Sequence, residues 1–245
     1  MNIYENPARS EWEAICRRPS DSNPVVRERV TAIIDRVRAD GDKALRELAE
    51  EIDGRCPESI RVSDKAVREA CRMVSPDVKE AIKAAMENIR KFHKKQLPKE
   101  IKVKTAPGVT CIQRPVPIGR VGLYIPGGTA PLFSTVLMLA VPAKLAGCGE
   151  VVLCTPSGKN GKIAPEVLYA AKCCGIRKIY EVGGAQAIAA MAFGTESVDK
   201  VDKIFGPGNQ YVTTAKQILG GSVVAIDMPA GPSEVMVIAD SEADP

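Results

Sequence analysis

Val121-Gly-Leu-Tyr-Ile-Pro-Gly-Gly-Thr-Ala-Pro131 reads as a short apolar strand running into a turn that only glycines fill easily. A long apolar helical pattern, Leu132 to Leu145, follows it. The same construction returns twice. Ile179-Tyr-Glu-Val-Gly-Gly-Ala-Gln186 leads into Ala187 to Phe193, and Val201-Asp-Lys-Ile-Phe-Gly-Pro-Gly-Asn209 leads into Tyr211 to Leu219. In parallel α/β sheets such turns lie at the carboxyl ends of the strands, where ligands bind. The first N–H groups of each helix lack intrahelical partners and favour an anion or a carbonyl oxygen. Each unit carries one polar side chain near its turn: Tyr124, Gln186 and Asn209. These three are expected to converge on one ligand. The plainer alternative is that Tyr124 packs and the other two cap helices.

Outward from this core, Val121 to Asp227 alternates strand and helix. Strands are predicted at 121–125, 151–154, 178–182, 203–205 and 223–226, with helices at 132–145, 165–174, 187–193 and 211–219. Five strands joined by crossovers of helical length predict a Rossmann-like, doubly wound, mostly parallel sheet. Pro142 falls inside its helix and should kink it. Ser157 to Gly161 is too polar for the core and reads as a flexible loop. After Asp227-Met-Pro-Ala-Gly-Pro-Ser-Glu234, a rigid crossing, Val235 to Ala239 reads as a buried strand. A sheet with so helix-poor an ending looks unfinished, and Val235 to Ile238 should expose apolar surface that favours self-association.

The part before the sheet is helical and charged. Asn23-Pro24 opens a helix with Val26, Val30, Ile33 and Val37 on one stripe, and Asp40-Gly41-Asp42 ends it. A second helix spans Lys43 to Ile52. Ser63 caps a third, and Ser75-Pro76 opens a fourth with Val78, Ile82, Met86 and Ile89 facing inward. Residues 101–105 and 109–114, around Pro107-Gly108, read as a hairpin. Trp12, the only tryptophan, belongs to a packing arm or a surface helix.

With 45% hydrophobic and 26% charged residues in 245, the chain has material for one large domain or two ordinary ones. No apolar run is long enough to span a membrane, and Met1 to Glu13 has no signal pattern, which points to the cytoplasm. The eight cysteines show no zinc-finger spacing and are expected to be reduced, small and buried. Cys148, beside glycines, is the one with a reading as a nucleophile. The basic run Arg90 to Lys104 reads as a solvated helix end rather than a nucleic-acid surface. His93, the only histidine, lies among lysines and is a poor ligand or base. The glycine turns do not match G-x-G-x-x-G. Asp227 and Glu234 flank the crossing with no spacing that pairs them, and Ser233 has no base. Unaided, the residues give a nucleotide- or anion-binding α/β protein and no reaction.

The runs Gly122-Leu-Tyr-Ile-Pro-Gly-Gly-Thr-Ala-Pro-Leu-Phe-Ser-Thr-Val-Leu-Met138, Val182-Gly-Gly-Ala-Gln-Ala-Ile-Ala-Ala-Met-Ala-Phe-Gly-Thr195, Lys203-Ile-Phe-Gly-Pro-Gly-Asn209 and Ile226-Asp-Met-Pro-Ala-Gly-Pro-Ser-Glu-Val235 closely resemble histidinol dehydrogenase. The resemblance is strong from Pro115 to Asp240 and looser before it. It implies oxidation of L-histidinol to L-histidine through histidinal, with two NAD reduced in succession, by a zinc-dependent homodimer in histidine biosynthesis. It also implies NAD contacts at Tyr124, Gln186 and Asn209, and a substrate contact at Ser233.

The family's zinc ligands, which begin in a Gln-Ala-Glu-His run, and its catalytic Glu-His pair have no match before Pro245. The expectation is therefore an N-terminal portion, inactive alone, with no catalytic residue or metal ligand of its own. Clear NAD reduction by the isolated chain would count against this. Expected domains are 1–120, the helical part of an incomplete α/β domain; 121–233, the Rossmann-like NAD side; and 234–245, a returning strand. Two alternatives stand beside the enzyme: a nucleotide- or anion-binding module, and a scaffold or dimerising subunit.

Overall fold

The computed structural model describes residues 3–16, 24–127, 130–158, 160–228, 237–240 and 242–243. A 3-10 turn at Arg9–Glu11 precedes α1 (Trp12–Ile15), a surface helix whose Trp12 is exposed and donates through Nε1 to Pro7 O at 3.1 Å. Then come α2 (Pro24–Asp53), α3 (Asp64–Met73), α4 (Pro76–Lys94), β1 (Ile101–Ala106), β2 (Val109–Gln113) and β3 (Arg120–Tyr124). The alternating half follows as α5 (Phe133–Leu145), β4 (Glu150–Thr155), α6 (Pro165–Cys173), β5 (Lys178–Glu181), α7 (Gly184–Phe193), β6 (Lys203–Phe205), α8 (Gln210–Leu219) and β7 (Ala225–Ile226).

β3 to β7 form one parallel sheet in the order β5-β4-β3-β6-β7. The order reverses between β3 and β6, which creates a crevice at their carboxyl ends. Side chains alternate along each strand and feed two cores. Val121, Leu123, Val151, Leu153 and Ile179 face the side covered by α3, α4, α5 and α6. Tyr124, Val152, Cys154, Tyr180 and Ile204 face the side covered by α2, α7 and α8. The helical segment before the sheet thus supplies outer layers to both faces. Segment 60–62 also covers the free edge of β5, through Val62 N to Ile179 O (2.9 Å) and Glu181 N to Ile60 O (2.8 Å).

The helix signals act locally as their chemistry dictates. Ser63 Oγ accepts from Ala66 N and Ser75 Oγ from Val78 N. On α2 the buried stripe is Val26, Val30, Ile34 and Val37, with Ile33 only partly buried, a shift of one residue from the expected face. Helix α5 continues through Pro142. The carbonyl that Pro142 leaves without a donor belongs to Met138, on the exposed side of the helix, where water can serve it. β1 and β2 pair antiparallel from Ile101↔Gln113, but both faces of the hairpin are exposed. Val237, Ile238 and Ala239 are not the buried strand expected of them: they join no ladder, and Val237 and Ile238 are 80% and 90% exposed. A strand needs a neighbour for its N–H and C=O groups, and no described strand lies beside them. Val235 and Met236, like the Asn23 cap, lie outside the described residues.

The break expected at Gly41 is real. Its φ of 52° and ψ of −128° separate two helical runs inside α2. Glu196 Oε2 accepts Asp42 N at 2.8 Å, while Asp42 accepts Thr195 Oγ1 at 2.6 Å, Ser197 N at 3.1 Å and Ser197 Oγ. Burial alone would raise the Asp42 carboxyl, but the Ser197 and Thr195 bonds outweigh it and hold it below its ordinary value. Asp42→Ala should cost about 2 kcal/mol at neutral pH, since hydrogen bonds to a charged acceptor are lost. A depressed carboxyl contributes stability above its unfolded pKa and loses it as pH falls through the folded value. The deficit measured by urea unfolding should therefore shrink below pH ~4. An equal deficit at acid and neutral pH would refute the ionic role.

Candidate cofactor site

The two ends of the sheet differ in what they offer. At the amino edge the charges satisfy one another: Arg120 Nε donates to Glu150 Oε2 at 2.5 Å, and Lys178 pairs with both Glu150 and Asp199. At the carboxyl edge three glycine turns bring polar groups together.

Tyr124 ends β3, is 3% exposed, and accepts the Gly184 N–H through Oη at 3.0 Å. Burial pushes its phenol up to about 12, the Gly184 bond only partly opposing this. The hydroxyl is therefore a neutral donor at physiological pH, and its proton has no acceptor among the described residues.

Gln186 stands in the first turn of α7 and is also 3% exposed. Its amide makes no hydrogen bond among the described residues, and it lines a cavity together with Arg55, Ser157 and Glu181. Gly184 has φ 64°, and a Cβ there would lie 2.6 Å from Gln186 Oε1. A side chain at Gly184 would displace the amide, which is the movable end of Gln186; it is the positive φ that calls for glycine. Tyr124 and Gln186 thus meet at one turn.

Asn209 is the N-cap of α8. Its Oδ1 accepts from Tyr211 N (3.0 Å) and Val212 N (3.1 Å), and the residue is exposed. The capping alternative describes this oxygen fully. Asn209 stands three residues after Gly206, whose backbone lies against Tyr124, and its amide nitrogen is not engaged among the described residues. Ser233 and Glu234 lie outside the described residues, as do Gly128 and Thr129 of the first glycine turn.

Sequence reasoning missed two clusters. Lys216 on α8 is buried. It pairs with Asp227 and donates to Gly206 O at 2.8 Å, while Asp227 accepts Gly206 N at 2.8 Å. This clamp fixes the turn after β6 and assigns Asp227 a structural partner instead of an acid–base one. A signal for it was present: Val212, Ala215, Lys216 and Leu219 share a helical stripe, all buried. The second cluster is Arg55, whose guanidinium donates to Glu181 Oε1 (2.8 Å) and Ser157 Oγ (2.9 Å), joining the loop after α2 to the ends of β4 and β5. The polar loop 157–161 is thereby tied at its start, and Gly158 N donates to Lys162 O at 2.9 Å.

The Gln186 amide, unpartnered among the described residues, the Tyr124 hydroxyl and the helix starts around this glycine turn are donors of the kind that hold a nucleotide. No such fit exists for zinc: among the described residues no three His, Cys, Asp or Glu side chains are grouped to hold a metal ion. His93 bonds Gln96 on a helix end instead.

Comparison with known proteins agrees with the architecture. The family model described as histidinol dehydrogenase matches residues 16–245. The chain is 53% identical over 245 residues to "Histidinol dehydrogenase" of Bacteroides thetaiotaomicron, covering 100% of this chain and 57% of that protein. It is 54% identical over 246 residues to the protein of the same name from Vibrio parahaemolyticus, covering 99% and 56%. The crystal structure of histidinol dehydrogenase from Elizabethkingia anophelis superposes with a TM-score of 0.89 at 48% identity, over 98% of this chain and 56% of that one. The chain therefore spans a little over half the length of the relatives it matches.

Proposed function

Because the chain belongs to the histidinol dehydrogenase family, we propose that it supplies the NAD-holding part of an enzyme that oxidises L-histidinol to L-histidine, by way of histidinal, in histidine biosynthesis. The observation that carries this reading is that the Gln186 amide, unpaired among the described residues, and the Tyr124 hydroxyl share the Gly183-Gly184 turn. When bound, the nicotinamide ring would accept hydride. The residues here bind and orient: Tyr124 and Gln186 offer hydrogen bonds from the carboxyl end of the sheet, and Asn209 offers its amide nitrogen from the next helix start. Zinc is part of the family's chemistry, but the described residues do not form its site and no step is routed through it. Ser233 is retained as the substrate contact.

In the same reading, residues 121–233 form the NAD side, with α2, α3 and α4 of 1–120 packed on its sheet, and 234–245 begin the return to the other α/β domain of the whole protein. That protein is a cytoplasmic homodimer. Among the described residues no helix is long and apolar enough to cross a membrane. Apolar side chains stand exposed on the hairpin, at Ile101, Val103, Val109 and Ile112, and again at Val237 and Ile238.

Titration with NAD tests the site. Gln186→Ala should weaken binding about fivefold to tenfold, the value of one hydrogen bond. Tyr124→Phe should do the same, at a further stability cost of about 1–3 kcal/mol for the Gly184 N–H left without an acceptor. Asn209→Ala should weaken binding and also cost about 1 kcal/mol of stability as a lost cap. An unchanged dissociation constant in Gln186→Ala would remove the reading's main support.

A further inference from the structure

Strands β5, β4 and β3 lie side by side in the sheet, and the middle one is followed at once by a proline. β4 ends at Thr155, and Pro156 comes next. The strands on either side each run into a glycine, Gly127 after β3 and Gly183 after β5. Neither glycine has a positive φ, and Gly183 is extended at φ −110° and ψ −178°, a conformation any residue adopts. Space is what calls for glycine here. A Cβ added at Gly127 would lie 2.7 Å from Pro156 Cγ, and one added at Gly183 would lie 2.6 Å from Pro156 Cβ and 3.1 Å from its Cγ. One ring therefore sits against both backbones. It cannot swing aside as an open side chain would, because it is closed onto its own nitrogen.

We propose that Pro156 is a positioning residue of the cofactor site: its ring sets the gap between the turn that follows Tyr124 and the turn that carries Gln186. This rests on the cofactor reading above and deepens it. Tyr124, on β3, accepts the Gly184 N–H through Oη at 3.0 Å, although β4 stands between β3 and β5. The two turns are thus drawn together by one hydrogen bond and held apart by one ring. Gln186 follows in the first turn of α7, so the place of its amide depends on where Gly183 stands. Groups that hold a ligand work only within about 0.5 Å of the productive position. A spacer of fixed shape meets that need, since no rotamer withdraws it. Pro156 itself need touch no ligand; it acts through Gln186.

The test joins titration with NAD to urea unfolding of the whole chain. Pro156→Ala removes the ring and keeps Cβ, and it should weaken NAD binding about threefold to fivefold in the folded protein. In the Gln186→Ala background the same change should alter NAD affinity less than about twofold, because its effect passes through that amide. A ring with a structural role alone would shift the unfolding midpoint without this coupling. Unfolding checks the contact itself. Gly127→Ala should lower the urea midpoint in the parent and lower it less in Pro156→Ala, where Cγ is gone and Cβ is 3.7 Å away. Equal losses in the two backgrounds overturn the inference. If Gln186→Ala weakens NAD but Pro156→Ala does not, or weakens it equally with and without the Gln186 amide, the inference is overturned and the cofactor reading survives. A parent that binds no NAD overturns both. Should Pro156→Ala fail to fold, Gly183→Ala, which crowds the same ring from the β5 side, takes its place in the titration, with the same coupling to Gln186 expected and the same outcomes overturning it.

Discussion

Gly206→Ala will cost at least ~3 kcal/mol of stability, the range reserved for substitutions that break a specific device. Gly206 has φ 131°, and a Cβ there would lie 2.1 Å from Tyr124 O and 3.0 Å from Tyr124 C. Both chains at this contact are held. β3 pairs with β6 through Val121↔Lys203, Gly122↔Ile204 and Leu123↔Phe205, and Gly206 is clamped at N–H and C=O by Asp227 and Lys216. Neither side can retreat without unzipping the sheet at its switch point. Gly221→Ala is the internal control: φ is 79°, nothing lies within 4 Å of its added Cβ, and the cost should be only ~1–2 kcal/mol of backbone strain. Denaturant unfolding of both variants decides the matter. Equal costs would mean that the close approach of β6 to Tyr124 is not a constraint. In Gly206→Ala, NAD binding should fall with stability, since Tyr124 is displaced first.

The sheet and its helices were legible because each rests on a local period. Strands 121–125 and 151–154 carry continuous apolar runs suited to burial on both faces, 178–182 and 203–205 carry short apolar cores beside charged residues, and glycine turns mark where 121–125, 178–182 and 203–205 end. Residues whose meaning depends on distant partners were not legible. Arg55 and Glu181 are 126 positions apart, and Asp42 and Ser197 are 155 apart. No spacing rule joins such pairs before the fold does. Val237 and Ile238 show the limit of composition: a β-branched run states a capacity for strand, but a ladder needs a neighbour. Gln186 was legible by position, two residues after a glycine pair. That its amide would be left without a partner could be learned only from the packed cavity.

The clamp itself makes the second large prediction. Asp227→Ala should destabilise by about 3–5 kcal/mol, because it strands a buried ammonium. The Lys216 side chain is 4% exposed and has two acceptors, Gly206 O and the Asp227 carboxylate. Removing the second leaves one carbonyl for a full charge. Lys216→Met should cost less, about 1–3 kcal/mol, because the Asp227 side chain keeps 27% of its exposure and water can serve it. The double variant Lys216→Met/Asp227→Ala removes both charges. It should be more stable than Asp227→Ala, a non-additive result that only direct pairing produces. If the two single substitutions add, and Asp227→Ala costs under ~1 kcal/mol, the pair is an incidental contact. If they couple as expected, the ion pair is what holds Gly206 against Tyr124. The turn after β6 then depends on a lysine outside the residues proposed to hold the cofactor.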